Sequence, residues 1–180
     1  SGFALKRGKF CNRGEYCPYA CIEGYYSSQY IIQQKHDLKI IKPGLYCNRN
    51  SKLEKGLNLP LCLKGYNNVY LRSNQNNLLC KAVYPGNLDT LIPIPLDYKV
   101  KSLTTIPFNI DYNTFSLYYL NLPQFNEKCE WGTKYKPNGS YAPYIIKIAE
   151  KNDGLIEFIL KWNIKFIENN MKSKYYPYLL

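Results

Sequence analysis

Seven cysteines are the residues of this 180-residue chain whose spacing points most directly to chemistry. They are Cys11, Cys17, Cys21, Cys47, Cys62, Cys80 and Cys129. Only Cys17 and Cys21 have the short spacing of a zinc-binding pair, and no second pair follows them. No Cys-x-x-Cys redox pair is present. The pattern therefore predicts no metal site and a disulfide framework, which forms in an oxidising compartment.

The odd number of cysteines predicts three disulfides and one cysteine that has no partner within this chain. We expect Cys11, Cys17 and Cys21 each to bond a distant cysteine, because closing a short local loop constrains the unfolded chain little. The chain is long enough to bury a substantial core, so these bonds add to the core and do not replace it.

Other catalytic chemistry finds little support in the sequence. The single histidine, His36, lies among the polar residues Gln34, Lys35 and Asp37, which disfavours a Ser-His-Asp or Cys-His site. No glycine-rich phosphate loop is present, and no motif predicts a cofactor.

The composition is basic and rich in tyrosine, with a formal net charge of +11 and 19 tyrosines. Such a chain is compatible with nucleic-acid binding, but the lysines and arginines are dispersed and no nucleic-acid motif is present, so we predict no nucleic-acid partner. Attraction to an anionic wall or membrane surface stays open as an alternative. No apolar run is long enough for a transmembrane helix. The chain starts at Ser1 without a signal peptide, so we expect that an N-terminal segment has been removed.

The elements that must position these residues are predicted to be strands. Turn residues recur about every 8 to 12 positions between short apolar runs, which is typical of an all-β sandwich or barrel with only short helices. Strands are predicted at 68–72 and 78–84, and a hairpin joins 144–150 to 155–167. Asn152-Asp153-Gly154 favours a type I′ turn over the alternative, a helix from Leu155 onward.

The chain contains one glycosylation sequon, Asn138-Gly139-Ser140. In a secreted protein it predicts a glycan on a surface loop.

Nearly the whole chain carries recognisable motifs, beginning with the segment CNRGEYCPYACIEGYYSSQY. The later motifs are GLYC, LCLKG, VYLRSN, LLCKAVYPGNLDTLIP, YYLN, CEWG, NGSYAPY and KWN. In this order they resemble the fungal SUN family of secreted cell-wall proteins, which is unrelated to the nuclear-envelope SUN domain, and the first segment resembles the opening of the family's domain. The resemblance implies a single domain over 1–180, truncated at its N-terminus relative to the full protein.

The resemblance also implies a function and a location. SUN-family proteins are classed as glycoside hydrolases acting on β-1,3-glucan and are linked to wall remodelling and cell separation. A secreted, cell-wall location, β-1,3-glucan as partner and a disulfide-stapled β-sandwich are therefore expected, with a thaumatin-like sandwich as the specific fold by analogy. A non-catalytic glucan-binding module and a secreted adhesion protein are the alternatives. The resemblance specifies no oligomeric state.

Glycoside hydrolysis needs two carboxyl groups that face one bond. The resemblance favours Glu127, which lies near the family's acidic position before Cys-x-Trp-Gly, and then Asp89 in the Pro-Gly segment. Glu130 and Asp111 rank lower, and a surface carboxylate paired with Lys128 is the alternative for Glu127.

Tyrosine and tryptophan suit sugar binding because their rings stack on pyranose C–H groups while their polar tips contact hydroxyls. The predicted sugar-contacting set is Tyr19, Gln29, Tyr118, Tyr119, Asn121, Trp131, Tyr141 and Tyr144. Tyr118 and Tyr119 are expected to point to opposite faces of a strand, so that at most one of them lies in a cleft. Asn121 alternatively caps a turn.

Overall fold

The computed structural model describes residues 3–5, 8–35, 38–74, 77–83, 90–97, 99–108, 114–122 and 128–170, and within these ranges the elements are almost entirely strands. The strands are β1 (Tyr16–Cys17), β2 (Tyr25–Ser27), β3 (Tyr30–Lys35), β4 (Leu38–Pro43), β5 (Leu45–Cys47), β6 (Leu53–Glu54), β7 (Cys62–Lys64), β8 (Val69–Arg72), β9 (Leu78–Ala82), β10 (Leu91–Pro95), β11 (Val100–Leu103), β12 (Ser116–Leu120), β13 (Tyr144–Glu150) and β14 (Ile156–Trp162). A 3-10 turn covers Gly139–Tyr141, and the helix α1 covers Ile164–Asn170. The all-β prediction is confirmed.

A five-stranded antiparallel sheet in the order β10-β9-β12-β13-β14 carries the core. Its first face packs against the β8–β11 ladder, and the buried residues there are Leu79, Ile94, Leu96, Leu103, Tyr118, Ile146 and Ile148. The second face buries Leu78, Cys80, Ala82, Tyr119 and Ala142. Because both faces are covered, β9 is buried at all five positions, which explains its nearly continuous apolar sequence.

The N-terminal segment forms three smaller ladders. The strand orders are β1-β5-β6, β2-β7 and β3-β4, and all these pairs are antiparallel. Strands this short bury little apolar surface, so they depend on neighbouring loops and covalent bonds for stability.

The predicted C-terminal hairpin is present, but its turn differs from the prediction. Lys151 N donates to Leu155 O at 2.8 Å, which leaves a three-residue loop. Only Gly154 among the loop residues has a positive φ, +80°. A type I′ turn needs positive φ at both central residues, so the type I′ prediction is wrong. The loop instead combines an ordinary turn with a left-handed glycine.

The predicted strand at 155–167 ends at Trp162, and α1 begins at Ile164. Asn163 causes the change, because its side-chain Oδ1 accepts from Lys165 N at 3.1 Å and so caps the helix. Phe158 and Leu160 remain 45% and 36% exposed, because β14 is the edge strand of the sheet.

Three disulfides form, as predicted, and Cys47 is a buried free cysteine. The bonds join Cys21 to Cys62, Cys80 to Cys129, and Cys11 to Cys17. The prediction of a distant partner is right for Cys21 and wrong for Cys11 and Cys17, which bond each other across a separation of 6 residues. Loop entropy disfavours such a bond only weakly, and the local turn brings the two Cα atoms to 5.6 Å.

Candidate functional site

Both predicted catalytic carboxylates, Glu127 and Asp89, lie outside the described residues, as does Asp111. Glu130 is described and exposed, and its Oε2 lies 3.1 Å from Lys136 Nζ. A carboxylate in such an exposed ion pair behaves as an ordinary surface acid.

Most of the predicted sugar-contacting set is buried. Six of the eight residues are at most 8% exposed: Tyr19, Gln29, Tyr118, Tyr119, Asn121 and Tyr144. Tyr118 and Tyr119 do point to opposite faces of β12, but both faces are covered, and the two side chains are 0% and 8% exposed. The two rings thus lie on opposite faces as expected, and neither is exposed at the surface.

Gln29 and Tyr19 hold a loop in place. Gln29 Oε1 accepts from Leu57 N at 2.9 Å, and its Nε2 donates to Leu59 O at 3.3 Å. The Tyr19 hydroxyl donates to Leu61 O. The polar tips of both side chains are thus used to satisfy the backbone of residues 57–61, which must have partners once it is covered.

Tyr144 is part of an aromatic cluster inside the fold. Its ring lies 4.7 Å from that of Trp162, which in turn stacks on Phe166 at 6.3 Å. Burial raises the pKa of the Tyr144 hydroxyl to about 12, so this phenol stays neutral at physiological pH.

Trp131 and Tyr141 are the two predicted residues that the structure brings together at the surface. Lys165 Nζ lies 5.2 Å from the Trp131 ring centroid and 5.3 Å from the Tyr141 centroid. Trp131 is 38% exposed, and Tyr141 is half-buried. We call Trp131, Tyr141 and Lys165 the Trp131 platform. Cation–π contacts of this kind orient both rings around one ammonium group.

The segment that carries Trp131 is held rigidly. The Cys80–Cys129 disulfide bonds it to β9 of the five-stranded central sheet. Ser140 donates to Trp131 O through both its backbone N and its hydroxyl. Gly139 has a φ of +52°, and a Cβ there would lie 1.7 Å from Glu130 O, so only glycine allows this close approach.

Two asparagines complete the support of the platform. Asn121 Oδ1 accepts from Gly139 N at 2.9 Å, so this side chain anchors the neighbouring segment from inside the sheet. Asn163 Nδ2 donates to Ser140 O and Ala142 O, both at 2.8 Å. The helix that carries Lys165 is therefore tied to the turn that carries Tyr141.

The glycosylation sequon does not lie where the sequence predicts. Asn138 is 1% exposed, and its Nδ2 faces Lys128 O at 3.5 Å. A Cβ on Gly132 would meet Asn138 O at 2.0 Å, which shows how closely the two segments pack. The expected surface position is therefore wrong, because the amide nitrogen that would carry a glycan lies inside the fold.

A buried ion pair that the sequence analysis did not predict lies beside β9. Lys81 is 4% exposed, and its Nζ lies 3.2 Å from Glu23 Oε2. The same ammonium donates to Thr104 Oγ1 at 3.0 Å and to Tyr25 O at 3.2 Å. Glu23 Oε1 in turn accepts from the Tyr118 hydroxyl at 3.1 Å and from Thr104 Oγ1 at 2.9 Å.

The electrostatics of this pair follow from its burial. Burial lowers the pKa of Lys81, while Glu23 opposes that shift. Burial, and secondly the charge of Glu23, raise the pKa of Tyr118. A small pocket beside the pair is lined by Tyr19, Tyr25, Tyr26 and Ile92. Because three acceptors surround the ammonium, the network serves to fasten the segment around Glu23 to the sheet.

One signal in the sequence could have revealed this network. Lys81 is the single charge in the apolar run of 78–83. A lysine in a strand that is buried on both faces needs an anionic partner. The partner, Glu23, is 58 residues away in the sequence, so spacing could not identify it.

The ion pair and the Trp131 platform belong to opposite faces of the central sheet. Cys80 and Lys81 are neighbours on β9, so their side chains point in opposite directions. Cys80 bonds the platform segment, whereas Lys81 bonds Glu23. The platform is therefore a site separate from the buried network.

The described residues contain no group of three or more His, Cys, Asp or Glu side chains that could hold a metal ion. No helix in the described part of the chain is long and apolar enough to cross a membrane.

Comparison with known proteins identifies relatives along the whole chain. An uncharacterized protein of Saccharomyces cerevisiae is 29% identical over 96% of this chain and 51% of its own length. A probable secreted β-glucosidase of Arthroderma benhamiae is 32% identical over 80% of this chain and 34% of its own length. The secreted β-glucosidase sun1 of Aspergillus fumigatus is 30% identical over 76% of this chain and 36% of its own length.

The chain thus spans about half or less of the length of these relatives. No solved structure matches it, so the thaumatin-like analogy stays a prediction. The model of the β-glucosidase SUN family matches residues 1–177. With that match over nearly its full length, the chain belongs to the SUN family.

Proposed function

We propose that this chain is the glucan-binding domain of a secreted cell-wall protein, and that it binds β-1,3-glucan through the Trp131 platform. The observation that carries the proposal is the exposed Trp131 ring beside Tyr141, both fixed around Lys165. The proposed role is in wall morphogenesis and cell separation. The proposal also treats residues 1–180 as a single domain of a longer protein.

The physics of the platform favours a sugar as ligand. A pyranose presents a face of C–H groups that stacks on an aromatic ring, while hydroxyl and ammonium groups at the ring edges bind its oxygens. Trp131 offers the ring and Lys165 the donor. Because the disulfide and the Asn163 contacts hold both elements, little conformational entropy is lost on binding.

Secretion is supported by two independent observations. Three disulfides persist only in an oxidising compartment. Two of the relatives above carry "secreted" in their names. An extracellular site of action in the cell wall follows from the glucan ligand proposed here.

Hydrolysis of glucan is the second candidate function, and the β-glucosidase names of the relatives favour it. It needs an acid and a second carboxylate about 5 to 9.5 Å apart. We assign the acid to Glu127, two residues before the disulfide-bonded Cys129, with Asp89 as the second carboxylate.

The binding test is a pull-down of the full chain on insoluble β-1,3-glucan. Trp131→Ala should weaken binding about fivefold or more, since one stacking ring contributes roughly 1 kcal/mol. Tyr70→Ala is the matched control, because Tyr70 is 69% exposed on β8 and lies outside the platform. Equal binding of wild type and Trp131→Ala would contradict the proposal, and so would a wild type that does not bind.

The hydrolysis test is a reducing-end assay on the same samples. Glu127→Gln should retain binding and abolish sugar release, because it keeps the shape and removes the ionisable proton. Glu130→Gln is the control and should retain activity. A wild type that binds without releasing sugar would leave a non-catalytic binding module, and one that does neither would favour an adhesion protein.

A further inference from the structure

The hairpin formed by β3 and β4 projects from the fold. Within the described residues these two strands pair only with each other. The base of the hairpin is anchored: Ile31 packs so closely over Gly56 that a Cβ there would lie 2.3 Å from Ile31 Cδ1. Lys42 Nζ also lies 5.5 Å from the Tyr16 ring.

The outer half of the hairpin, residues 33–35 and 38–41, has no second layer over it. Every side chain in these two ranges is exposed. Three of them are large and apolar: Leu38, Ile41 and Ile40 are 71%, 48% and 38% exposed. A half-solvated antiparallel ladder normally collects its apolar residues on one face, which then packs on the core.

This ladder has apolar residues on both faces. Leu38 pairs with Lys35, and Ile40 pairs with Gln33, so these four residues share one face. Ile41 pairs with Ile32 on the opposite face, beside Lys39. A hairpin that is apolar on both sides is suited to insertion into surroundings that contact both faces. Docking on a flat protein surface would leave one apolar face in water.

The charge of the hairpin indicates into which surroundings it inserts. The sequence of the hairpin, 30–43, contains Lys35, Lys39 and Lys42 against a single acidic residue, Asp37, and the whole chain carries a net charge of +11. Lysine stems lie along apolar surroundings while their ammonium groups reach toward water or lipid phosphates. We infer that the outer half of this hairpin docks on the surface of an anionic lipid bilayer, with Leu38, Ile40 and Ile41 inserted at the headgroup boundary.

Two other occupants fit the hairpin less well. Pairing with a second copy along a strand edge would bring like-charged lysines together, which disfavours edge-to-edge association. Neutral glucan offers no attraction to the net positive charge of the chain and no apolar volume for Leu38. An anionic bilayer supplies both.

The test is co-sedimentation of the full chain with vesicles. Binding should be measurable on phosphatidylcholine containing roughly one-third phosphatidylserine and should fall with added salt. Leu38→Ser with Ile40→Ser should weaken it about tenfold or more, since the inserted apolar area is lost. Lys35→Gln with Lys39→Gln should weaken it about 25-fold, because each lysine near the surface contributes roughly fivefold.

Matched controls exchange the same residue types elsewhere on the surface. Val100→Ser with Leu155→Ser removes apolar side chains that are 56% and 65% exposed, and Lys9→Gln with Lys64→Gln removes two exposed charges. Both controls should bind like the wild type. All these positions are exposed, so the unfolding midpoint should stay close to that of the wild type in each variant.

Several outcomes would overturn the inference. They are no vesicle binding, equal binding to vesicles of phosphatidylcholine alone, and equal losses in the hairpin variants and their controls. A concentration-dependent dimer that the Leu38 and Ile40 substitutions abolish would assign the hairpin to self-association instead. Glucan pull-down should be unaffected by the hairpin variants, so this test and that of the proposed function fail independently.

Discussion

At the scale of single residues, burial decides which polar and aromatic side chains are available for a ligand. Tyr118 and Gln29 have the chemistry expected of sugar-binding residues, yet both are fully buried and bonded inside the fold. A tyrosine hydroxyl bonds a buried carboxylate as readily as a sugar oxygen. Trp131 differs because its ring stays at the surface while its backbone O is bonded to Ser140.

The buried ion pair yields a stability prediction. Glu23→Gln leaves the Lys81 ammonium without a counter-charge and should lower the free energy of unfolding by about 2 kcal/mol, somewhat less than for fully buried pairs because Glu23 is 26% exposed. Urea unfolding measures the loss. Glu157→Gln, which disrupts the exposed pair with Lys151, is the control and should change stability far less. An unchanged midpoint in Glu23→Gln would show that the pair is not stabilising.

At the scale of the elements, short segments depend on glycine and asparagine at particular positions. Gly154 closes the β13–β14 hairpin, and Asn163 ends β14 and begins α1. Gly139 lets the 3-10 turn approach the segment that carries Trp131. The same residue type therefore has different roles: Gly154 is needed for its backbone conformation, and Gly139 is also needed for space.

This difference can be measured with two alanine substitutions. Gly154→Ala should cost about 1 kcal/mol, because its φ is +80° but nothing lies within 4 Å of the new Cβ. Gly139→Ala should cost at least about 3 kcal/mol, because the new Cβ would overlap backbone at 1.7 Å. Thermal unfolding ranks the two, and glucan pull-down should fall for Gly139→Ala alone. Equal costs would contradict the close packing of this turn.

At the scale of the whole molecule, two covalent bonds join parts that are distant in sequence. The Cys21–Cys62 bond connects the segment before β2 to β7 within the N-terminal ladders. The Cys80–Cys129 bond connects the segment of the Trp131 platform to the central sheet. Lys81 and Glu23 connect the N-terminal ladders to the sheet on its other face. Cys11–Cys17 closes only a local turn.

The disulfides should therefore differ in their effect on stability. Replacing Cys80 and Cys129 together by Ala should lower the free energy of unfolding by about 4 kcal/mol, because the bond spans 49 residues, and should also weaken glucan binding. The same change at Cys11 and Cys17 should cost about 2 kcal/mol, because that bond spans 6 residues, and should leave binding intact. Denaturant unfolding compares the variants, and the reverse order of stability would show that the connectivity differs.

The sequence by itself determined the class of the fold, the family and the number of disulfides. Turn residues at regular spacing and alternating apolar positions are local properties, so they predict strands and the hairpin at Gly154 without tertiary information. The counts of cysteines and the ordered motifs are likewise present in the chain itself. Local chemistry also made Trp131 and Tyr141 sugar-contacting candidates, together with six residues that are buried.

Only the tertiary structure decided which candidates reach the surface and which groups meet inside. Tyr119 is buried because segments distant in sequence cover both faces of the central sheet, whereas Trp131 stays at the surface. Asn138 is inside for the same reason, although its triplet indicates a surface loop. Lys81 meets Glu23 because two chain segments pack together, and no local pattern encodes a pairing that the packing of the whole chain selects.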